Sequence, residues 1–225
     1  MEPAAAVVTQ AEQGHWMVRA FEQGGSVMYV IAFIAILTII LVVERFLALK
    51  SLTIDKKEFT DNIFAMILRG DIRQAIAFCD SRQAPLTNSV KAGLVQVVNK
   101  RPDEEIQVAM DAAVLRESPK FEGWTSFLAV FGNVAVLAGL LGTIIGMIGS
   151  FAAVASADPA KKAEMLSAGI SHALNCTAFG LCVAIIAIIA YAYFQLRIQR
   201  AENDVVETSM SLMNLVVSNR DKIKD

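Results

Sequence analysis

The sequence is poor in the side chains that carry most enzyme chemistry. It has two histidines, His15 and His172, and three cysteines, Cys79, Cys176 and Cys182, whose spacing fits neither a metal cluster nor a disulfide framework. It contains no Walker-type phosphate loop and no nucleophile elbow. The net charge of −2 gives no excess of basic residues that would attract a nucleic acid. These absences argue against an enzyme, a metal or cofactor site and a nucleic-acid partner.

Charge is also missing from long stretches of the chain. Residues 123–157 contain no Asp, Glu, Lys or Arg. At about 1.5 Å per residue, a helix of that length exceeds the roughly 30 Å of a bilayer core. The segment SVMYVIAFIAILTIILVV and a later segment around His172 have the same apolar character. The sequence therefore predicts three membrane-spanning helices, at 26–48, 127–155 and 165–196.

The polar parts of the chain are predicted to be helical as well. Apolar residues recur with helical spacing from Phe59 to Ile67 and again from Ile72 to Cys79, and Asp71 suits a helix N-cap between them. We expect one helix from about Asp103 through the second span, and a third span that continues unbroken into the polar tail. No strand pattern is present. The predicted fold class is an all-α membrane protein whose three transmembrane helices extend into a cytoplasmic helical bundle.

Lys and Arg residues indicate the orientation. Almost all of them lie between residues 44 and 120 or after residue 196, whereas the other side holds only Arg19, Lys161 and Lys162. The positive-inside rule then places the N-terminus on the outer side of the membrane, here called periplasmic, and the C-terminus in the cytoplasm of a multi-pass membrane protein. Trp16 suits the headgroup region. The predicted parts outside the spans are an N-terminal periplasmic or interfacial segment at 1–25, a cytoplasmic helical region at 49–126, a short periplasmic loop at 156–164 and a cytoplasmic C-terminal helix at 197–225.

Glycines mark the second span as a packing helix. Each glycine costs about 1 kcal/mol in a helix relative to alanine, so a membrane helix with several of them is expected where another backbone approaches closely. Gly180 is predicted to pack in the same way in the third span. The second-span glycines are Gly139, Gly142, Gly146 and Gly149.

A few polar side chains within the spans are the candidate ion pathway. Thr143, Thr177 and Asn175 could line a narrow path for protons or water, or they could simply join helices or bond to backbone carbonyls. His172 could titrate near neutral pH, or it could be a hydrogen-bonded residue near the outer interface. Neither the second nor the third span contains Asp or Glu. A proton-conducting function would therefore need a carboxylate from another subunit, or His172 itself.

Four motifs in order resemble one known family. Residues 139–151, GLLGTIIGMIGSF, are similar to the second-helix signature GLLGTVxGMxxxF, and residues 173–181, ALNCTAFGL, are similar to the third-helix signature ALxxTAxGL. Glu44-Arg45 and the cytoplasmic pattern that starts at Gly70-Asp71 supply the other two. The chain resembles the proton-channel subunits ExbB and TolQ and, more distantly, the flagellar stator subunit MotA.

The resemblance implies a protein of the bacterial inner membrane, and a homopentamer whose second and third helices line a pore in the lipid bilayer. A dimer of a single-span partner similar to ExbD or TolR would pass through this pore, and a membrane Asp of the partner would carry the proton. Thr143 and Thr177 match the pore-facing threonines of the family. The implied function is to use the proton motive force to energise that partner.

The sequence departs from the family pattern at specific positions. His172 stands where the family usually has Glu, and Val136 and Ile186 stand where it usually has proline, which suggests straighter helices. These departures keep open a specialised motor subunit, for instance one for gliding motility. A non-conducting helical scaffold also stays open, whereas a small-molecule transporter is disfavoured because no inverted repeat is present.

Overall fold

The computed structural model describes residues 25–219, and these residues form helices with short connections and no strand. The predicted interfacial segment around Trp16 lies outside the described residues. The helices are α1 (Gly25–Leu52), α2 (Lys56–Leu68), α3 (Ile72–Asp80), α4 (Pro85–Val98), α5 (Asp103–Glu117), α6 (Pro119–Glu122), α7 (Ser126–Ala155) and α8 (Lys162–Ser218).

Three of the helical segments are long and apolar enough to cross a membrane. They contain α1, α7 and α8, and the 30 residues of α7 extend over about 45 Å at the usual rise per residue. The all-α fold with three long apolar helices is confirmed for the described residues. The helix α8 runs through 57 residues without a break, so the predicted continuation of the third span into the polar tail is correct. Neither α7 at Val136 nor α8 at Ile186 is interrupted.

The prediction of one helix from Asp103 through the second span is wrong. The chain stops after α5, makes the single turn of α6 and begins α7 only at Ser126. Pro119 opens α6 because a proline lacks the amide hydrogen that a continuing helix would need. Gly123 then takes a φ of +43°, a left-handed conformation that favours glycine.

One of two compact units comprises, among the described residues, 25–42 together with Phe127–Tyr191. In this unit the start of α1 packs on α7 and α8. Met28 and Ile31 form a buried cluster with Cys176, and Ile34 forms another with Ala135. The partners on α7 and α8 are small, so the helices approach closely. Many of the large apolar side chains on these helices are exposed, as expected for a surface that faces lipid.

The other unit comprises Val43–Ser126 and residues 192–219. Its interior is built from bulky side chains, among them Phe59, Leu94 and Phe121, which are at most 2% exposed. The predicted apolar face of α2 is buried at Phe59, Ile63 and Ile67. Asp55 caps α2 by accepting hydrogen bonds from the amides of Lys57 and Glu58 at 2.9 and 3.2 Å.

Two positions that the motifs singled out have distinct roles in this second unit. Asp71 occupies the N-cap position of α3, but its side chain makes no capping hydrogen bond. Arg45, whose side chain is 6% exposed, donates two hydrogen bonds of 2.5 Å to the Glu44 carboxylate. Its third nitrogen lies 3.4 Å from the Glu122 carbonyl oxygen, and the guanidinium fills the space that a side chain at Gly123 would need. The charged pair therefore holds the turn before α7.

Candidate functional site

The packing face of α7 meets α8 backbone to backbone. A Cβ placed on Gly180 would lie 2.6 Å from the Ala135 carbonyl oxygen, and one placed on Gly139 would lie 3.0 Å from the Cys176 carbonyl oxygen. Such distances leave no room for a side chain, because the obstructing atoms belong to the backbone. Gly139 and Gly180 therefore act as the contact points that the sequence predicts.

The contact continues along both helices. A Cβ on Gly142 would lie 2.6 Å from the Cβ of Cys176, and one on Gly146 would lie 3.2 Å from the Cβ of Ala173. Contacts nearer the C-terminal end of α7 thus involve residues nearer the N-terminal end of α8, so the two helices are antiparallel. Gly149 differs, since nothing lies within 4 Å of its added Cβ. Within this chain Gly149 is not a packing residue.

Both candidate threonines bond to backbone carbonyls. The Thr177 hydroxyl donates across the helix pair to the Gly139 carbonyl oxygen at 3.1 Å. The Thr143 hydroxyl donates within its own helix to the Leu140 carbonyl oxygen at 2.5 Å. Gly139 is one turn from Thr143, so the structure brings the two threonines to neighbouring levels of the same helix pair. Each hydroxyl oxygen keeps lone pairs that can accept a hydrogen bond.

His172 lies on a different side of α8 from Thr177. Five helical residues separate their directions by about 140°, and the imidazole approaches the start of α1, where a Cβ on Gly25 would lie 2.8 Å from Nε2. Its Nδ1 lies 3.8 Å from the Cys176 sulfur. His172 also borders an open cavity of about 380 Å³ with Ala168, Gly169 and Ser171.

Asn175 is half-buried, between the positions of His172 and Thr177 on α8. The structure thus separates the predicted pathway residues into two groups. The Thr177 contact lies between α7 and α8, and the His172 contact lies at the start of α1. Among residues 25–219 no group of three His, Cys, Asp or Glu side chains could hold a metal ion.

Among the described residues of the unit that contains α7, two buried hydroxyls were not among the predicted site residues. Ser150 donates to the Gly146 carbonyl oxygen at 2.7 Å and fills the space beside Gly169. Thr38 is 1% exposed and donates to the Ile34 carbonyl oxygen at 2.8 Å. The available signal was a lone hydroxyl in an apolar run, which cannot by itself separate an interior residue from a lipid-facing one.

The site is therefore a pair of antiparallel apolar helices with glycine contacts, carbonyl-bonded threonines and no acid. In a comparison with protein families, residues 81–207, which include both helix signatures, match the MotA/TolQ/ExbB proton channel family. The chain belongs to this family. The MotA/TolQ/ExbB family is a family of channels and not of enzymes, and the three apolar helices make the chain a multi-pass membrane protein.

Individual members of the MotA/TolQ/ExbB family show partial similarity. The Tol-Pal system protein TolQ of Pseudomonas aeruginosa is 40% identical over 94 residues, which are 42% of this chain and 40% of TolQ. The biopolymer transport protein ExbB of Xanthomonas campestris is 35% identical over 91 residues, which are 40% of this chain and 36% of ExbB. The chain thus spans about two-fifths of these relatives.

A longer alignment exists with an archaeal protein. A putative biopolymer transport protein ExbB homolog of Methanothermobacter thermautotrophicus is 29% identical over 196 residues, which are 86% of this chain and 68% of the relative. The similarity therefore extends well beyond the segment shared with TolQ.

Proposed function

We propose that the chain is a proton-conducting subunit of an ion-driven motor in the inner membrane, and that it uses the proton motive force to energise a single-span partner. One observation carries the proposal. In a family of proton channels, the helix pair α7 and α8 presents hydroxyl groups but contains no Asp or Glu between residues 123 and 157 or between residues 165 and 196.

A proton path across a bilayer usually needs a titratable group inside the membrane. Because the second and third spans contain no carboxylate, the group comes from a partner that shares the pore. The expected partner resembles ExbD or TolR and carries an Asp in its single span. A homopentamer of this chain around a dimer of that partner is the assembly that the family resemblance implies.

The threonines would serve this partner by exchanging hydrogen bonds. In the structure the hydroxyl protons of Thr143 and Thr177 point to backbone carbonyls, which leaves the oxygens free to accept from a protonated carboxyl group. A hydroxyl can also rotate and donate to the ionised carboxylate. The hydrogen-bonding pattern can therefore follow the protonation state of the partner's Asp. Protons would enter from the periplasmic side, where the N-terminus lies, and leave to the cytoplasm.

The sharpest test uses Thr143, because its hydroxyl bonds only within its own helix. The complex of the full chain with its co-purified partner is reconstituted into liposomes with a pH gradient, and proton uptake is followed with a pH-sensitive dye. We expect Thr143→Val to reduce proton flux by about 100-fold or more, because one positioned proton-transfer group contributes about 10²–10⁴-fold in rate. Thr143→Ser restores the hydroxyl and is expected to retain most of the flux.

The controls separate conduction from assembly. Size-exclusion chromatography should show the same oligomer for both variants, and a protonophore should give equal dye responses in all liposomes. Natural flux in Thr143→Val would contradict the assignment of this hydroxyl to the pathway. A co-purified single-span protein with no acidic residue in its span would contradict the carboxylate supplied by a partner.

A non-conducting scaffold is the second candidate. The carbonyl-bonded hydroxyls favour it, because they already have structural partners. It predicts flux no greater than in empty liposomes for the natural complex. A specialised motor of the same family, for instance in gliding motility, is favoured by His172 in place of the usual Glu. It predicts proton flux together with a partner whose soluble domain binds a motility component.

A further inference from the structure

One face of α8 changes from apolar to aromatic to basic along the helix. Ile189 is exposed, Tyr193 and Leu196 follow one and two turns later, and Arg197 and Arg200 follow these. At about 100° per residue, all five directions fall within about 100° of the helix circumference. A helix that leaves a bilayer has this order, because aromatic rings prefer the interface and long basic side chains reach the headgroups.

The two arginines have no ion pair within residues 25–219, although acidic side chains follow on the same face. Asp204 is one turn beyond Arg200, but its carboxylate lies 3.1 Å from the Lys56 ammonium. Glu207 lies 2.6 Å from the same ammonium. Lys56 therefore binds both carboxylates and offsets one of their two negative charges, and neither carboxylate forms an ion pair with Arg197 or Arg200 within residues 25–219.

The ligand that fits this arrangement is a phosphodiester at the membrane surface. Two guanidinium groups one turn apart can form several charge-assisted hydrogen bonds to phosphate oxygens. Tyr193 is half exposed and packs edge-on against Phe194 with ring centroids 5.5 Å apart, which fixes its ring next to the arginines. Exposed apolar side chains on the preceding turns, such as Ile189, can contact acyl chains.

We propose that Tyr193, Arg197 and Arg200 of α8 bind the headgroup of an anionic phospholipid at the membrane surface. The proposal requires the third helix to leave the bilayer near Tyr193. It does not require proton conduction, so either proposal can fail without the other.

The test measures lipid binding to the full chain in a neutral detergent. Phosphatidylglycerol is the anionic probe and phosphatidylcholine the zwitterionic one, and bound lipid is counted by native mass spectrometry. The double variant Arg197→Gln/Arg200→Gln is expected to bind phosphatidylglycerol about 10- to 30-fold more weakly. The two arginines contribute similar shares of the attraction to the anionic headgroup, and the double variant removes both shares. Phosphatidylcholine binding should change by less than about 2-fold, as it lacks net charge.

The matched control is Arg69→Gln/Arg73→Gln. These exposed arginines flank the connection between α2 and α3, and their replacement removes the same charge. The control should bind phosphatidylglycerol like the natural chain. Equal loss in both double variants, or equal binding of the two lipids by the natural chain, would overturn the proposal.

Two further arms complete the design. Inorganic phosphate at millimolar concentration should not displace the lipid, and complete displacement would overturn the lipid assignment in favour of a free anion site. If the glutamine variant fails to fold, Arg197→Lys/Arg200→Lys is tested instead. This variant keeps both positive charges but lacks the planar guanidinium groups. It is then expected to bind about 3- to 10-fold more weakly, and unchanged binding would refute the arginine geometry.

Discussion

The two compact units of the chain are both helical, yet they are packed by opposite kinds of side chain. In the unit that contains α7, the closest contacts are made by residues with little or no side chain, such as Gly139 against Gly180. In the unit that contains α2 to α6, the interior is filled by large side chains such as Phe59 and Leu94. The difference shows that solvent, and not secondary structure, decides which residues hold helices together.

The physical reason lies in what surrounds each unit. The unit that contains α2 to α6 is here called the polar unit, and the unit that contains α7 is called the apolar unit. In water, burial of apolar surface contributes about 25 cal/mol per Å², so large side chains stabilise the polar unit most. Lipid tails are as apolar as leucine, so helices there gain mainly from close contact and hydrogen bonds. Glycine permits contact between backbones in one unit, whereas in the other the buried Gly93 makes room for a large side chain, that of Met110.

The largest loss of stability is expected from a substitution in the interior of the polar unit. Leu94 is completely buried, and Leu94→Ala is expected to lower the free energy of unfolding by about 2–5 kcal/mol through lost burial and a residual cavity. Leu115→Ala makes the same chemical change at a side chain that is 76% exposed and should cost less than about 0.5 kcal/mol. Denaturant titration in detergent, followed by circular dichroism, measures both. Equal losses would contradict a core built on burial.

The next largest loss of stability is expected from a substitution at the close contact between α7 and α8 in the apolar unit. Gly180→Ala places a methyl group 2.6 Å from the Ala135 carbonyl oxygen, so the helices must move apart. We expect a loss of about 1–3 kcal/mol, as found for overpacked interiors. Gly149→Ala is the matched control, because no atom lies within 4 Å of its new methyl group. The same detergent titration should show the control unchanged or stabilised, and a loss equal to that of Gly180→Ala would contradict the comparison.

Much of this contrast can be read from the sequence. A charge-free run long enough for a bilayer predicts a span, and glycines at helical spacing predict a face where a backbone approaches, as Gly139, Gly142 and Gly146 do. Both inferences work because burial of charge in lipid and loss of a side chain each carry a large free-energy cost. The unbroken helix after the third span could also be predicted, because no helix-breaking residue separates the span from the polar tail.

Other features could not be predicted because they depend on neighbours distant in sequence. Gly149 has the same spacing as its partners but faces open space, whereas the contact with α8 continues at the next residue, Ser150, which packs against Gly169. The turn at Gly123 is set by the guanidinium of Arg45, which is far away along the chain. Thr177 and Thr143 look equivalent in the motifs, yet one bonds across helices and the other within its own turn.

A smaller loss of stability is expected from a change at a buried charged side chain of the polar unit, Glu117. The Glu117 side chain is 4% exposed and accepts hydrogen bonds from Lys120 at 2.7 Å and from Asn88 at 3.0 Å. Burial alone would raise the pKa of Glu117, but these two partners outweigh it and hold the pKa below its ordinary value of 4.5. The stabilisation is therefore complete above pH 4.5 and is lost as the pH falls through the lowered pKa.

The corresponding variant is Glu117→Gln. It should lower the free energy of unfolding by about 1–2 kcal/mol at neutral pH, because it weakens charge-assisted hydrogen bonds, and by less in acid. Denaturant titrations of both proteins at pH 7 and below pH 4.5 measure the convergence. A constant difference across this range would show that folding does not lower the pKa of Glu117.

The smallest effect tests the hydrogen bonds of the apolar unit. Thr177→Val removes the bond to the Gly139 carbonyl oxygen on α7 and is expected to lower the free energy of unfolding by about 0.6 kcal/mol, the average for such bonds between membrane helices. Thr143→Val is the matched control, since its bond ends within the same helix and joins no neighbour. Detergent titrations of the two isosteric variants should differ by this amount. A loss of stability in Thr143→Val alone would show that Thr143, and not Thr177, joins the two helices. If only Thr177→Val loses stability, as expected, a loss of proton flux in Thr143→Val cannot be explained by a loss of helix packing.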